Sequence, residues 1–476
     1  MSSRVAVVGA GISGLAAAYE LCSAGIETLL LEARARPGGK IDSTPVDGLT
    51  VDSGPDGFVA RDRAAADLCR RLGLGADLVE PAAEGARVWL DGALRPLPRR
   101  SLLGAPWTAE GLQESGLVSA AGAEALARGL AGDAEALRAD ATVGEVLRPR
   151  VGDEVFERII DPLLGGINAG AADVMSLEAC AAPLYEAACQ GGPFGQALQQ
   201  VADRQRRQRD PDTGSAVFQS IDGGMTRLVD ALVGELGESL HLTTAARSLA
   251  PDGETWRVVT SRGAFEAAGV ILACPAWQSA RLLEGLAPDA AAALADIDYS
   301  SVALATFVLA SEVLRRPLDG SGFVVPRSQG LMMTACSWTS AKWRHYNQRD
   351  TAVLRVSAGR SDDRRWQDLD HDELSAILAD ELAETGMISA ADASAGRFEA
   401  RVTAWHDSLP QYRRGHLSRV AEIEDRLAAE TPGVAVTGAA MRGVGLPACI
   451  RNAHAAATAT ARAVLGDGAA REGDRP

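Results

Sequence analysis

Long apolar runs and an excess of basic residues are both absent from the sequence, and each absence excludes a class of protein. No run approaches the roughly 18 uninterrupted apolar residues that a membrane-spanning helix requires, so we expect no transmembrane segment. The formal net charge of -16 argues against nucleic acids and anionic membranes, because both need a clustered basic surface. We interpret the charge as an acidic, solubilising surface and expect no nucleic-acid partner.

The cysteines and histidines form no metal-binding or disulfide pattern. The cysteines have no CxxC spacing and the histidines no HExxH-like pairing. This scatter is typical of reduced, mostly buried thiols in a reducing compartment, and it predicts no metal site. A strand is predicted from Arg4 with almost nothing ahead of it, which is not the layout of a signal peptide. We therefore expect a cytoplasmic protein.

Lysine is nearly absent, since only Lys40 and Lys342 occur among the 47 Lys and Arg residues. Codon usage explains such a bias, yet it makes these two positions worth attention. The length of 476 residues allows two or three domains. Hydrophobic residues make up 47% and charged residues 23%, the balance of an ordinary globular protein.

The strongest local pattern is a glycine-rich turn between a predicted strand (4–8) and a predicted helix (13–24). In Rossmann-type units the first glycine allows the tight turn, the second lets the backbone approach a pyrophosphate, and the third lets helix and strand pack closely. Glu32 ends the next predicted strand (26–32), where a carboxylate can accept hydrogen bonds from ribose hydroxyls. The pattern predicts a dinucleotide site at Gly9, Ala10, Gly11, Ile12, Ser13 and Gly14.

The residues after Glu32 favour FAD over NAD. The run from Ala33 to Lys40 resembles the E-x(5)-GG-[RK] continuation of FAD enzymes of the amine oxidase and desaturase type. A glycine pair lets the chain return towards the diphosphate, and Lys40 can supply a compensating positive charge. We therefore predict FAD as the cofactor.

Two further turns are candidates for the flavin ring. Residues 51–58 (VDSGPDGF) contain enough glycine and proline to fix a turn with backbone amides facing the ring, although an ordinary β-turn explains them equally well. Residues 438–447 (GAAMRGVGLP) precede the last predicted helix, whose N-terminus could stabilise a reduced flavin. A simple helix-entry loop is the alternative.

The remaining order of segments predicts a discontinuous cofactor domain. Helical composition dominates from about 100 to 210, strands dominate from about 300 to 358, and a strand, a glycine turn and a helix close the chain. The polar stretch 200–214 is predicted to be an exposed loop. We predict a cofactor domain at 1–90, 215–285 and 425–466, a helical inserted domain at 91–214, a substrate domain at 286–424 and a disordered tail at 467–476.

Longer motifs make the resemblance specific. The chain resembles the Gram-positive, actinobacterial-type coproporphyrinogen III oxidases of haem biosynthesis, long called protoporphyrinogen oxidases, within the FAD-dependent amine oxidase superfamily. The similarity extends over residues 4–462. The matching segments are PLLGGINAG (162–170), FQSIDGGMTRLVDAL (218–232), GFVVPRSQG (322–330), TACSWTSAKWRH (334–345), SLPQYRRGHLSRV (408–420) and TGAAMRGVGLPACI (437–450).

This resemblance implies an α/β (α+β) fold with a Rossmann-like FAD domain of the para-hydroxybenzoate-hydroxylase type, a mixed-sheet substrate domain and a helical inserted domain. Family members usually carry an aromatic residue where this chain has Asn168, which indicates either altered substrate packing or a tolerated change at a helix end. Lys342 and Arg414 are candidates for binding substrate propionates, with solvated surface cations as the alternative. Besides Gly9 to Gly14, the implied FAD contacts are Glu32, Ala33, Lys40, Gly54, Pro55, Asp56, Gly57, Ala246, Trp405, Val444, Gly445 and Leu446.

The implied reaction is the oxidation of a porphyrinogen to a porphyrin with molecular oxygen as acceptor and hydrogen peroxide as product. Coproporphyrinogen III is favoured over protoporphyrinogen IX, because polar residues interrupt 100–140, where membrane-bound relatives carry an apolar surface. A transient contact with the next haem-pathway enzyme is an expected partner interaction. Two other hypotheses stay open: another flavin amine oxidase or desaturase, and a non-catalytic FAD-binding paralogue.

Overall fold

The computed structural model describes residues 4–207, 217–347 and 350–465. The predicted disordered tail at 467–476 lies outside these described residues. Within them, no helix is both long enough and apolar enough to cross a lipid bilayer.

A five-stranded parallel sheet joins the two ends of the chain. All of its pairings are parallel, and its strands are apolar runs because helices cover both faces. The predicted opening strands and the predicted closing strand therefore share one sheet, although the exact domain limits stay a prediction. The spatial order is Leu240–His241, Thr28–Leu31, Val5–Val8, Gly269–Leu272 and Val434–Val436.

Helices form a layer on each face of this sheet. One layer contains Ile12–Ser23, Ala64–Arg71, Thr226–Leu236 and Leu446–Leu465. The opposite layer contains Ala276–Leu283, Pro288–Ala295 and His416–Glu430, together with a small antiparallel sheet of Ala246–Asp252, Thr255–Thr260 and Gly263–Ala267.

A seven-stranded mixed sheet forms a second layer of the molecule. Helix His371–Glu384 packs on it through Leu374, Leu378 and Leu382. Strand Ala86–Leu90 pairs parallel with Gly322–Val324 in this sheet, although it lies inside the predicted 1–90 cofactor segment. The spatial order is Glu399–Pro410, Tyr299–Ala310, Thr351–Ala358, Met333–Trp338, Gly322–Val324, Ala86–Leu90 and Ala93–Pro96.

Short strands connect the two large sheets. Hairpin Ser43–Val46 and Leu49–Asp52 packs through Val46 and Val51 on Trp343, Tyr346 and other residues of the seven-stranded layer. A three-stranded sheet follows it, in the order Phe58–Val59, Phe218–Ile221 and Leu78–Val79.

The middle of the chain folds into a helical region with its own apolar core. A capping box at Thr142 and Glu145 starts its second helix, because each side chain bonds the backbone amide of the other. The helices are Ala120–Ala131, Val143–Val151, Asp153–Val155, the π-helical Phe156–Ile160, Asp161–Asn168, Leu177–Cys180, Ala182–Gln190 and Phe194–Arg207.

The prediction of an exposed loop at 200–214 is wrong for the first half of this segment. Helix Phe194–Arg207 continues through residues 200–207 because Leu198, Val201 and Ala202 face the apolar core, at the spacing of one helical face. Arg204 also pairs with Glu186 of the preceding helix. Residues 208–216 lie outside the described part of the chain.

Candidate functional site

The first glycine-rich turn has the geometry that its sequence predicts. Gly9 has a φ of 102°, a region that favours glycine. A Cβ at Gly14 would lie 1.7 Å from the carbonyl oxygen of Gly9, so no other residue fits there without a backbone shift. Gly11 is different, because it has an ordinary φ of -71° and a Cβ there would meet nothing closer than Gly39 Cα at 4.0 Å. Space beside Gly11 is therefore open, at the N-terminus of helix Ile12–Ser23.

The second glycine pair packs directly on this turn. Gly38 forms a parallel bridge with Gly11, and its amide donates to the carbonyl of Ala10 at 2.7 Å. A Cβ at Gly39 would lie only 3.0 Å from Gly11 Cα, and one at Gly54 only 1.8 Å from the carbonyl oxygen of Lys40. The chain at 9–14, 38–40 and 54–57 thus forms one continuous surface of closely packed backbone.

Glu32 is buried beside the first turn, and both of its oxygens are engaged. One oxygen accepts the amide of Ala10 and the other that of Arg34, each at 2.8 Å. A carboxylate oxygen has a second lone pair, so these bonds leave acceptor capacity for ribose hydroxyls. The amide of Thr244 donates to the Glu32 carbonyl at 2.7 Å, which brings strand Ala246–Asp252 near this end of the surface.

Side chains of the seven-stranded layer hold the turn Ser53–Gly57 from the other side. Trp405 Nε1 donates to the Ser53 carbonyl at 2.8 Å, and Arg355 donates to the Gly54 carbonyl. A Cβ at Gly57 would lie 2.7 Å from the carbonyl oxygen of Gln219. These contacts fix the backbone of a turn whose function was undecided from its sequence.

A buried ionic cluster lies beneath this turn. Asp56 is 3.3 Å from Lys342 Nζ and 3.3 Å from a guanidinium nitrogen of Arg355. Burial disfavours the charged carboxylate, but the two cations outweigh that effect and hold the pKa of Asp56 well below its usual value. Asp56 is therefore ionised at neutral pH.

The C-terminal turn is held by Tyr412 and His416, whose rings stack 4.0 Å apart. The Tyr412 hydroxyl donates to the Ala439 carbonyl and accepts the Gly443 amide, while His416 Nε2 lies 2.7 Å from the Met441 carbonyl oxygen. Helix Leu446–Leu465 starts directly after this turn. Tyr412 and His416 thus determine where that helix N-terminus lies.

Comparisons with known proteins place the chain in a family. The family model described as flavin containing amine oxidoreductase matches residues 12–465. The chain belongs to this family. The match confirms the predicted fold class and FAD as the cofactor.

Similar proteins extend over nearly the whole chain. A coproporphyrinogen III oxidase of Bacillus subtilis (strain 168) is 31% identical over 466 residues, covering 95% of this chain and 97% of that protein. The protein of the same name from Mycobacterium tuberculosis (strain ATCC 25618 / H37Rv) is 34% identical over 470 residues, with coverages of 96% and 97%. A solved structure from Exiguobacterium sp. 255-15, provisionally named a protoporphyrinogen oxidase, has a TM-score of 0.84 and 30% identity, covering 97% of this chain and 99% of that one.

The residues of this amine oxidoreductase fit FAD. The open space beside Gly11 and the free amides of the following helix suit a pyrophosphate, and Glu32 retains acceptors for a ribose. Lys40 is exposed, and Cys449 of the last helix lies near enough to interact with its charge. Lys40 therefore lies between the second glycine pair and the helix that follows Val444 and Gly445. The individual FAD contacts stay predictions.

The three candidate substrate residues occupy three different environments. Asn168 is 6% exposed. Its side-chain Nδ2 donates to the Leu164 carbonyl, and its backbone carbonyl accepts Gln411 Nε2, both at 2.9 Å. Arg414 is more than half exposed and lies 3.5 Å from Glu145 of the helical region. Lys342 is part of the buried cluster under the Ser53–Gly57 turn. Their contacts with substrate stay predictions.

Sequence reasoning missed Arg355, Asp52 and the contacts made by Tyr412 and His416. Asp52 is fully buried and accepts the Met225 amide and the Tyr346 hydroxyl. A carboxylate directly before a glycine-rich turn, and an arginine inside an apolar strand, were the available signals. Each partner lies far away in the chain, so the sequence around one residue could not predict which residue it contacts.

Replacing Trp405 with phenylalanine should weaken FAD binding modestly. The change keeps an aromatic ring and removes only the bond to the Ser53 carbonyl, which contributes about 1 kcal/mol. We expect a lower unfolding temperature and a roughly fivefold weaker FAD affinity, measured by flavin fluorescence on reconstitution. Trp256→Phe is the matched control, because Trp256 Nε1 donates to the Pro432 carbonyl away from this turn. An equal loss of FAD affinity in both variants would contradict the role of Trp405.

Proposed function

We propose that this flavoprotein oxidises coproporphyrinogen III to coproporphyrin III in haem biosynthesis, in the cytoplasm and with molecular oxygen as acceptor. The observation that carries the proposal is the near-full-length similarity to proteins named coproporphyrinogen III oxidase, at 31% and 34% identity. Chloroplastic protoporphyrinogen oxidase of Oryza sativa subsp. japonica is also similar, at 27% identity over 96% of this chain. Protoporphyrinogen IX is therefore the second substrate to test.

The segment SLPQYRRGHLSRV (408–420) supports this assignment over an amine substrate, because it joins three parts of the molecule. Gln411 bonds the end of helix Asp161–Asn168, and Tyr412 bonds the C-terminal flavin turn. The carbonyl of Tyr412 accepts the Ser176 amide at 2.8 Å, and Asp140 accepts the Gly415 amide at 2.7 Å. A motif typical of the porphyrinogen oxidases thus sets the geometry between the flavin turn and the helical region.

FAD, which the closely packed backbone at 9–14, 38–40 and 54–57 would hold, would supply the redox chemistry for three successive two-electron oxidations of the porphyrinogen, each with loss of a hydride and a proton, and molecular oxygen would be reduced to hydrogen peroxide. The protein's own residues bind and orient the macrocycle. Phe218 lies one strand from the Ser53–Gly57 turn, paired with Val59, and its ring is 41% exposed. An exposed aromatic ring at this place is suited to stacking on a flat tetrapyrrole.

The propionate groups of the substrate require cationic partners, and Arg414 is the exposed candidate. Its contact with Glu145 is at the outer limit of a hydrogen bond, and both side chains are more than half exposed, so the guanidinium can exchange partners at little cost. We expect Arg414→Glu to raise KM for coproporphyrinogen III several-fold while kcat stays within twofold. An unchanged KM would remove Arg414 from the substrate site.

The decisive experiment compares two substrates in air. Purified protein with bound flavin is supplied with coproporphyrinogen III and protoporphyrinogen IX side by side, and porphyrin fluorescence and hydrogen peroxide are measured. We expect faster turnover of the tetracarboxylate, coproporphyrinogen III. Preferred turnover of protoporphyrinogen IX would reassign the substrate. Bound flavin with no porphyrin from either compound would contradict the proposal and favour an amine or desaturase substrate, or a non-catalytic role.

A further inference from the structure

The Lys342 side chain lies between the Ser53–Gly57 turn and aromatic rings, and little of it contacts solvent. Its ammonium lies 3.3 and 3.5 Å from the two oxygens of Asp56. It also lies 4.7 Å from the ring centre of Trp343 and 5.4 Å from that of Phe218, within the range of cation–π attraction. Only 15% of its side chain is exposed.

The charged groups around Lys342 alternate in sign, so a substitution that removes one of them changes the net charge of the cluster. Arg355 interacts with Asp56 and with the Gly54 carbonyl, and only 7% of its side chain is exposed. Asp52 is bonded by the Met225 amide, the Tyr346 hydroxyl and the Ser43 hydroxyl. The cluster therefore contains two cations and two carboxyl groups. Little water reaches it to screen them, so a change of one charge acts over a longer distance than it would at the surface.

This cluster lies directly behind backbone that continues the FAD surface. Gly54 contacts the Lys40 backbone, and the Gly38–Gly39 pair contacts Gly11. The end of the surface farthest from the dinucleotide turn is therefore the Ser53–Gly57 turn, where the isoalloxazine end of an extended FAD belongs. Charge near this ring system changes its reduction potential, since the reduced form carries additional negative charge.

We propose that Lys342 and Asp56 set the reduction potential of the bound flavin with opposite signs, and that Lys342 is not a substrate clamp. The inference rests on the FAD position in the proposed function. Lys342 favours the reduced flavin electrostatically, and Asp56 disfavours it while it holds the lysine in place. Arg355 positions the turn through the Gly54 carbonyl.

The test measures the flavin midpoint potential in three purified holoenzymes by reductive titration with a reference dye. Lys342→Met removes one positive charge and should shift the potential to a more negative value. Asp56→Asn removes one negative charge and should shift it to a more positive value. The double variant Lys342→Met/Asp56→Asn restores the net charge, so its potential should return close to that of the unmodified protein.

Controls separate charge from structure. Lys342→Arg keeps the charge and should leave the potential nearly unchanged. Arg426→Met removes an exposed cation paired with Asp289 and should leave it unchanged as well. If Lys342→Met does not retain FAD, Asp56→Asn still decides the question, because its expected shift to a more positive potential does not depend on that variant.

Three outcomes would overturn the inference. One is the absence of any shift in the single variants. Another is a shift of the same sign in both single variants, which would indicate a disturbed turn instead of a charge effect. The third is a raised KM for coproporphyrinogen III in Lys342→Met with an unchanged potential, which would make Lys342 a propionate ligand. Because the potential is measured without substrate, failure of the proposed substrate would leave these readings interpretable.

Discussion

Alanine at Gly11 should abolish tight FAD binding while leaving the fold intact, whereas alanine at Gly14 should disrupt the fold itself. At Gly11 the added Cβ meets only Gly39 Cα, at an unstrained 4.0 Å, and the backbone is in a region open to all residues. The methyl group would instead occupy the space into which a pyrophosphate fits. An overpacking cost of about 1–3 kcal/mol corresponds to a roughly 5- to 150-fold weaker FAD affinity.

At Gly14 the same methyl group would lie 1.7 Å from the Gly9 carbonyl oxygen. The first helix must then move away from the first strand, at the centre of the five-stranded sheet. We expect a loss of about 3 kcal/mol or more in the free energy of unfolding, even before FAD is added.

The measurement uses protein stripped of flavin. Unfolding temperature is recorded first, and FAD affinity is then obtained from quenching of flavin fluorescence on reconstitution. Gly234→Ala is the matched control, because Gly234 is an exposed helical glycine with open space around it; the change should stabilise the helix by about 1 kcal/mol and leave FAD affinity alone. A destabilised Gly11→Ala protein without FAD, or one that binds FAD normally, would contradict the placement of the pyrophosphate.

The dinucleotide half of the site was predictable because its determinants are local. Gly9 to Gly14, Glu32 and the 38–39 glycine pair lie within one short stretch, and backbone conformation or close backbone packing requires glycine at positions 9, 14, 38 and 39. The closing strand at 434–436 could be predicted for the same reason, since an apolar run followed by glycines and a helix is a local pattern. We could also predict that this strand belongs to the cofactor domain, because a strand, a glycine-rich turn and a helix occur at both ends of the chain.

The contacts that hold the turns at 53–57 and 438–445 could not be predicted, although Trp405 itself was an implied FAD contact, because these contacts connect distant parts of the chain. Arg355 reaches Gly54, Trp405 reaches Ser53, and Tyr412 reaches Gly443. Nothing in the strand Thr351–Ala358 distinguishes an arginine that faces a buried carboxylate from one at a sheet edge. The error at 200–207 has a different origin, since a high content of Arg and Gln concealed the apolar face formed by Leu198 and Val201.

Protonation of His416 at acidic pH should destabilise the C-terminal turn at residues 438–445. The pKa of His416 is lowered to about 4, mainly by burial and to a smaller extent by the nearby Arg419 and Arg442, although the hydrogen bond to the Met441 backbone acts in the opposite direction. Its Nδ1 is buried without a hydrogen-bond partner in the described structure, and burial disfavours the doubly protonated, charged ring. A histidine in an unfolded chain has a pKa of about 6.5.

The sign of the pH effect follows from these two values. The folded state binds the proton less tightly than the unfolded state, so the contribution of His416 is complete above pH 6.5 and is lost as the pH falls towards 4. The difference amounts to about 3 kcal/mol of unfolding free energy. Because His416 bonds the Met441 carbonyl beside Gly443, the same protonation should promote release of FAD in this pH range.

His416→Gln separates this effect from the general acid sensitivity of buried carboxylates. A glutamine amide can still donate to the Met441 carbonyl but cannot gain a proton, so stability and FAD retention should fall less steeply between pH 6.5 and 4 than in the unmodified protein. His371→Gln, at the exposed start of helix His371–Glu384, should keep the original slope. Both quantities are measured across the pH series, unfolding by denaturant titration and FAD release by fluorescence. If the pH profiles of the unmodified protein and His416→Gln are parallel, protonation of His416 does not cause the loss of stability and FAD, and another group controls the turn.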